Sequence, residues 1–286
     1  MVVLNIVPNV NFTKFATVAI VASVIFATMS IFSFAKLGIN LGVDFRGGVM
    51  MEFNSKTSND TDVIKKYILK FNKKSYLIRA SNNTIVQFCI DNNDNIKKFK
   101  KLIYNFNKDI SIVRIEFVGA KISKNYLVKF FKSFLFSIFM IMIYLLVRFD
   151  FYYTLSIIII LLYNVVFTLF FFILSRYEFN LTSIPAVLTV LGYSINDNVV
   201  IFDRIRENSM TKTTFNFDLV NKSLNETLSR TVMTFLTTFI SCFALWLYGG
   251  ELLKSFSSSV AFGISLGCGS SIFISPIVFI YLKKNV

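Results

Sequence analysis

Gly192–Asn208 reads GYSINDNVVIFDRIREN, and the fold turns on how its Asp197 is understood. Residues 192–202 close a long apolar run, yet Asp197 lies inside that run, about 9 Å of helix short of the charged cluster that begins at Asp203. Hydrocarbon penalises an ionised side chain by several kcal/mol, so a carboxylate at depth points to a function. The competing reading is that Asp197 merely ends its helix in water. The choice depends on what surrounds the stretch.

Outward from it, the chain is 286 residues long, 55% hydrophobic and 16% aromatic. That is too apolar for an ordinary soluble domain and too long for a single anchor, which indicates a polytopic membrane protein. Histidine is absent, which excludes Ser-His-Asp and Cys-His catalysis and histidine-based metal sites. Cys89, Cys242 and Cys268 are too scattered for a CxxC site or a disulfide framework and read as small apolar fillers. The formal charge of +14 follows the surface of one small domain and the helix ends, without aromatic-laced basic motifs, so it indicates a membrane-adjacent charge and no nucleic-acid partner.

Between Lys14 and Lys36 lie 21 uncharged residues, enough to cross the hydrocarbon of a bilayer and too many for a signal-peptide core. Four more stretches qualify: Phe151–Ser175, Phe179–Asn196 running on through Asp197, Thr231–Gly250 and Ser255–Leu282. A sixth, Leu127–Val147, spans only if Lys129 and Lys132 snorkel to the headgroups, because just 15 residues separate Lys132 from Arg148. Six spans place both termini on one side. The short connections on that side carry Lys14, Arg148, Arg204, Arg206, Lys212, Lys222, Arg230, Lys283 and Lys284, nine cations against Arg176 and Lys254 on the other, so the termini are expected in the cytoplasm.

The segment after the first span, 38–118, is expected outside the cytoplasm. Val49, Met51 and Phe53 alternate as a strand; Ile64, Tyr67, Ile68 and Phe71 recur at helical spacing; Tyr76–Ile78 and Ile85–Ile90 are short strands split by Ser81-Asn82-Asn83. Ile96, Phe99, Ile103 and Phe106 repeat the helix, and Val113, Ile115 and Phe117 close as a strand. The order βαββαβ predicts a ferredoxin-like α+β unit, with Asn59/Asp60 and Asn92/Asn93 as helix N-caps. It contains no catalytic set and reads as a binding or lever module. The chain therefore divides into a cytoplasmic N-terminus with helix one (1–37), a ferredoxin-like domain (38–118) and a five-helix membrane domain (119–286) with a cytoplasmic loop at 203–230.

Polar residues within the later spans are few. Asn164 stands on the third span, Ser194, Asn196, Asp197 and Asn198 on the fourth, and Arg230, Thr234, Thr237, Thr238 and Ser241 on the fifth. Ser194, Asp197 and Asn198 share a helical face, and Tyr193 is one turn from Asp197. Desolvation disfavours a charged carboxyl and a nearby guanidinium favours it, so an Asp197 and Arg230 pair has the chemistry of a proton relay. Arg230 as a plain cytoplasmic anchor is the alternative. Asn164 and the threonines read as helix–helix hydrogen-bonding groups. Ser255, Ser259, Gly263, Gly267, Ser271 and Ser275 repeat every fourth residue and predict a close packing face against the fourth or fifth span.

LGVDFRGG (Leu41–Gly48), GYSINDNVVIFDRIREN (Gly192–Asn208), NETLSRT (Asn225–Thr231) and SSIFISP (Ser270–Pro276) occur in this order along a chain with six spans and one large outer domain. In these motifs the chain closely resembles the SecF side of the SecD/SecF family, which is related in architecture to the proton-driven RND superfamily. The resemblance implies an accessory subunit of the Sec protein translocase in the bacterial inner membrane. Its partner would be SecD, with the SecYEG channel, SecA and YajC as further partners, and it would use the proton motive force, with H⁺ or Na⁺ as the coupled ion, to promote translocation of unfolded preproteins. It further implies that Asp197 and Arg230, at matching motif positions, belong to the proton path, with Asn164, Ser194, Asn196, Asn198 and Thr234 as supporting polar residues. The family usually carries His-Asp where Tyr163-Asn164 stand here, Thr where Asn198 stands, and Pro where Ala120 stands. No enzymatic activity, cofactor or metal is expected. The rivals are half of a proton-coupled RND exporter of small molecules or lipids, whose relatives have two outer domains and twelve spans, and an intramembrane aspartyl protease, which needs a second membrane carboxylate.

Overall fold

The computed structural model describes residues 10–54, 76–79, 83–88, 111–118, 120–210 and 217–284. The chain forms two compact units, one from Met1–Asn40 with Phe134–Val286 and one from Leu41–Ser133. Among the described residues, six helical segments are long and apolar enough to span a membrane: Val18–Leu37, Ile122–Arg148, Phe151–Ser175, Ser183–Met210, Phe217–Tyr248 and Leu253–Lys283. This is the number expected from the uncharged runs. Hydrocarbon offers the backbone no partner, so such runs satisfy their amides within the helix.

In chain order the helices are α1 (Phe12–Leu37), a single turn α2 (Val43–Arg46), α3 (Ala120–Arg148), α4 (Phe151–Ser175), α5 (Ser183–Met210), α6 (Phe217–Tyr248), α7 (Gly250–Phe273) and α8 (Ser275–Lys284). Gly38 ends α1 with φ +62°, its amide donating to the Phe34 carbonyl at 3.1 Å, a conformation that costs glycine little.

Two boundaries differ from expectation. The segment 203–230 is largely helical: α5 runs on to Met210 and α6 begins at Phe217, so both helices extend past the apolar runs. One ion pair joins these extensions, Arg204 of α5 to Glu226 of α6 at 2.7 Å, and its two members are further paired within their own helices, Arg204 with Glu207 at 2.5 Å and Glu226 with Lys222 at 3.6 Å. Charges that read as the end of a span are here the adhesive between two longer helices. The sixth span is likewise not one helix. It breaks at Ile274, because Pro276 has no amide hydrogen to continue the ladder.

The core of the membrane unit lies around α4, where Ile157, Ile160, Phe167, Phe170 and Phe172 are fully buried. At one end Tyr153 stacks on Phe279 with ring centroids 4.1 Å apart, and Phe202 meets both edge-on. The stripe of small residues on α7 does pack against the fourth span, and against the third as well: a Cβ at Gly263 would collide with Val190 of α5 and stand 3.0 Å from Thr168 Oγ1 of α4. Cys242 and Cys268 are buried free thiols, consistent with filler; Cys89 lies outside the described residues. Much of α1, α3 and the outer part of α6 is apolar and exposed, including Phe32, Phe136, Ile240 and Leu247.

The second unit contains a four-stranded antiparallel sheet of β1 (Gly48–Asn54), β2 (Tyr76–Arg79), β3 (Asn83–Phe88) and β4 (Ser111–Val118), in the order β2-β3-β1-β4. Met51 of β1 stands opposite Val86 of β3 and Ile115 of β4. Asn83, expected in the turn, instead opens β3 opposite Asn54. A βαββαβ chain produces this order, with the first and last strands adjacent. The helices expected at 64–71 and 96–106, and their caps at Asn59/Asp60 and Asn92/Asn93, lie outside the described residues.

Candidate functional site

Helical spacing puts Ser194 and Asn198 one turn apart on α5, and both are completely buried. Ser194 Oγ accepts a hydrogen bond from Asn164 Nδ2 of α4 at 2.6 Å. The other end of the Asn164 amide accepts from Ser270 Oγ of α7 at 2.8 Å. Asn198 Nδ2 donates to the Ser194 carbonyl at 2.7 Å and to Ser271 Oγ of α7 at 2.9 Å. Asn198 Oδ1 accepts from Ser275 Oγ, the first residue of α8, at 2.5 Å. Two primary amides thus tie α4, α5, α7 and α8 into one network, and each uses both its donor and its acceptor end.

Asp197 lies beside this network at 2% exposure, and its Oδ2 has no hydrogen-bond partner; the Tyr193 hydroxyl, one turn earlier, is buried with Asp197 and Thr234 of α6 as its polar neighbours. Burial without a partner is expensive for an ionised group. A neighbouring pair of satisfied amides next to a carboxyl with one oxygen unpartnered is therefore a contrast built into the site, and it answers the opening question: Asp197 does not end its helix in water, since α5 continues for three more turns and more.

The remaining residues singled out from the sequence fall into two groups. Arg230 on α6 is exposed and makes no ion pair with Asp197; its charge reaches the carboxyl only through space. Thr234, one turn on, is half-buried and donates to the carbonyls of Arg230 and Thr231 at 3.1 and 2.9 Å. Asn196 is exposed and outside the network. Asn164 forms the helix–helix bonds expected of it; Thr234, Thr237 and Thr238 each donate to carbonyls of their own helix, and Thr234 also lies against the Tyr193 hydroxyl of α5. A threonine hydroxyl reaches the carbonyl one turn back without any partner helix, so its presence in a span is weak evidence of a contact.

Three serines, Ser270, Ser271 and Ser275, complete the network, and only two of them belong to the stripe read from spacing. The combination Ser-Ser followed by Ser-Pro was the available signal, since a proline break exposes polar groups that side chains must then meet. A second set, of which only Asn225 falls within a quoted motif, lies on the extension of α6. Asn221 Oδ1 accepts from the Phe12 amide at 2.8 Å, and Asn225 exchanges two 2.9 Å bonds with the Val10 backbone, so the start of α1 is clasped by the extension of α6. Among the described residues no cluster of histidine, cysteine, aspartate and glutamate has the makings of a metal site.

Residues 98–285 match the family model described as the C-terminal region of the protein export membrane protein SecD/SecF, and residues 32–58 match the SecD/SecF GG motif. The chain is 35% identical over 295 residues to protein translocase subunit SecF of Rickettsia bellii (strain OSU 85-389), covering 99% of this chain and 97% of that one. It is 36% identical over 298 residues to the same subunit of Rickettsia conorii, with 99% and 96% covered. Among solved structures it is similar to SecDF, a translocon-associated membrane protein from Thermus thermophilus, at a TM-score of 0.89 and 27% identity, covering 98% of this chain and 39% of that one. SecDF in its super-membrane-facing form gives 0.70 at 26% identity, with 97% and 39% covered. This chain thus spans well under half the length of those SecDF chains.

Proposed function

The chain belongs to the SecD/SecF protein-export family, and from that premise we propose that protonation of Asp197 couples an ion gradient to the movement of exported polypeptide. It is an accessory subunit of the Sec protein translocase and a multi-pass protein of the inner membrane. The observation that carries the coupling is the buried Asp197 carboxyl with one oxygen unpartnered, set beside two amides whose bonds are complete.

Such a carboxyl is a two-state element. Its ionised state needs a partner and its protonated state needs less, so the arrangement of α5 against its neighbours changes with the proton. Arg230 is the partner in this proposal: a shift of α6 along α5 brings the guanidinium onto the carboxylate, and its withdrawal favours proton uptake. Asn164, Ser194 and Asn198 hold the α5 backbone while that exchange takes place.

SecD is the proposed membrane partner. The apolar exposed faces of α1, α3 and α6 are surfaces that lipid and a second membrane subunit would cover. The SecYEG channel, SecA and YajC are proposed as further partners, with the unfolded preprotein as substrate. The excess of cations on the connections that share a side with the termini supports a cytoplasmic position for both ends and a periplasmic position for the domain between α1 and α3. The strand order supports a ferredoxin-like fold for that domain, acting as a lever or binding module and not as an enzyme.

Purification in mild detergent tests the assembly, with SecD and SecYEG expected to accompany the chain. Preprotein export into vesicles, with and without an imposed ion gradient, tests the coupling. A chain that purifies alone and leaves gradient-driven export unchanged on deletion would contradict the proposal and favour an exporter of small molecules.

A further inference from the structure

Where α3 turns into α4, the ends of α5 and α8 close around a cavity of about 590 Å³. Its wall carries the cations Arg148, Arg206 and Lys283 over an aromatic floor of Phe149 and Tyr153, with Asp150 as the one carboxylate in the lining. The rings position the cations: the guanidinium carbons of Arg148 and Arg206 lie 5.7 and 6.0 Å from the Phe149 ring centre, and Lys283 Nζ lies 5.7 Å from that of Phe279. Arg148 is bound to Asp203 at 2.9 Å, and Arg206 donates to the Arg148 carbonyl at 2.8 Å without forming an ion pair among the described residues. Asp203 takes up Arg148, while the Arg206 guanidinium keeps its charge toward the cavity.

The cavity is also amphipathic. Leu146 and Val147 of α3 belong to its lining, and Val147 is 85% exposed, so an apolar path leads from the cationic wall along a membrane-spanning helix. We infer that this cavity binds the phosphate of an anionic phospholipid, with the headgroup between Arg206 and Lys283 and an acyl chain along Leu146 and Val147. Cationic pockets between spanning helices at the headgroup level have the chemistry for this, and the planar guanidinium suits a phosphate. Asp197 plays no part in the inference, so its failure and that of the proposed coupling are separable.

The test uses the full chain in detergent, with bound lipid read by native mass spectrometry during titration with phosphatidylglycerol, with phosphatidylcholine of equal chain length, and with inorganic phosphate. Phosphatidylglycerol should bind in preference, and Arg206→Gln and Lys283→Gln should each weaken it about fivefold, the weight of one cation near an anionic headgroup. Arg206→Lys should retain most of the binding, which separates loss of charge from loss of fold. Equal binding of phosphatidylcholine, or phosphatidylglycerol binding indifferent to both charge-removing variants, overturns the site. Displacement of the lipid by inorganic phosphate at equal concentration overturns the lipid assignment and makes the site one for free phosphate.

Discussion

Ser275 Oγ, at the restart of the broken last span, donates a 2.5 Å hydrogen bond to Oδ1 of Asn198, the residue that follows Asp197. The backbone carrying the unpartnered carboxyl is therefore fastened to the break itself. The break is the place in α7 and α8 where a helix ladder is already interrupted, and an interrupted ladder bends at lower cost than an intact one. This couples the candidate proton site to α8 through one side chain.

Loss of that bond is expected to be modest in stability. Ser275→Ala should lower the stability of the detergent-solubilised chain by about 1 kcal/mol, within the range of membrane-buried hydrogen bonds. Asn198→Ala should cost more, since it strands Ser271 and Ser275 together. Thermal denaturation of the two variants side by side would show the order, and equal midpoints would mean that the network adds nothing.

Asp197→Asn should leave a folded chain that still co-purifies with SecD but no longer supports the gradient-dependent part of preprotein export. The amide is nearly the same shape and cannot exchange a proton. Export kinetics in vesicles with the gradient imposed and collapsed give the comparison; stimulation undiminished in the variant rules the relay out.

Arg230→Lys should be impaired less than Arg230→Ala, because lysine keeps a charge for Asp197 and loses only the planar two-point geometry. In a double-mutant cycle, Asp197→Asn with Arg230→Ala should be scarcely worse than either alone, as for residues that act as one unit. Fully additive export defects would make Arg230 an anchor at the membrane surface.

Gly263→Leu should be among the most damaging single changes in the membrane unit. Even a Cβ collides with Val190, and overpacking of this kind costs about 1–3 kcal/mol or more. Gly269→Leu is the control, since a Cβ there meets nothing within 4 Å. Similar yields and melting midpoints for the two variants would show that α5 and α7 separate easily.

Residues 41–118 expressed alone should be soluble and unfold cooperatively, with a margin of only a few kcal/mol for so small a core. A circular dichroism melt without a transition would move the domain boundary, and the division of the chain at Leu41–Ser133 indicates that the first turns of α3 would then be needed.

By itself the sequence determined the six candidate spans, the four strands of the sheet and the place of Asp197 within an apolar run. Each of these follows from local chemistry: an uncharged run must satisfy its own backbone in hydrocarbon, alternation defines a strand, and a carboxylate within an apolar run has nowhere else to be. The tertiary structure decided which polar groups meet. Asn164 and Asn198 found partners on α7 and α8 and Ser194 found one on α4, while Thr237 and Thr238, equally polar, turned back onto their own helix. Arg204 and Glu226, read as loop charges, became a seam between two extended helices. One-dimensional spacing states which residues share a face of a helix; the rotation of that helix against three neighbours is set by packing across the whole bundle, at contacts such as Gly263 against Val190, and it is that rotation which buries Asp197 and leaves Asn196 exposed.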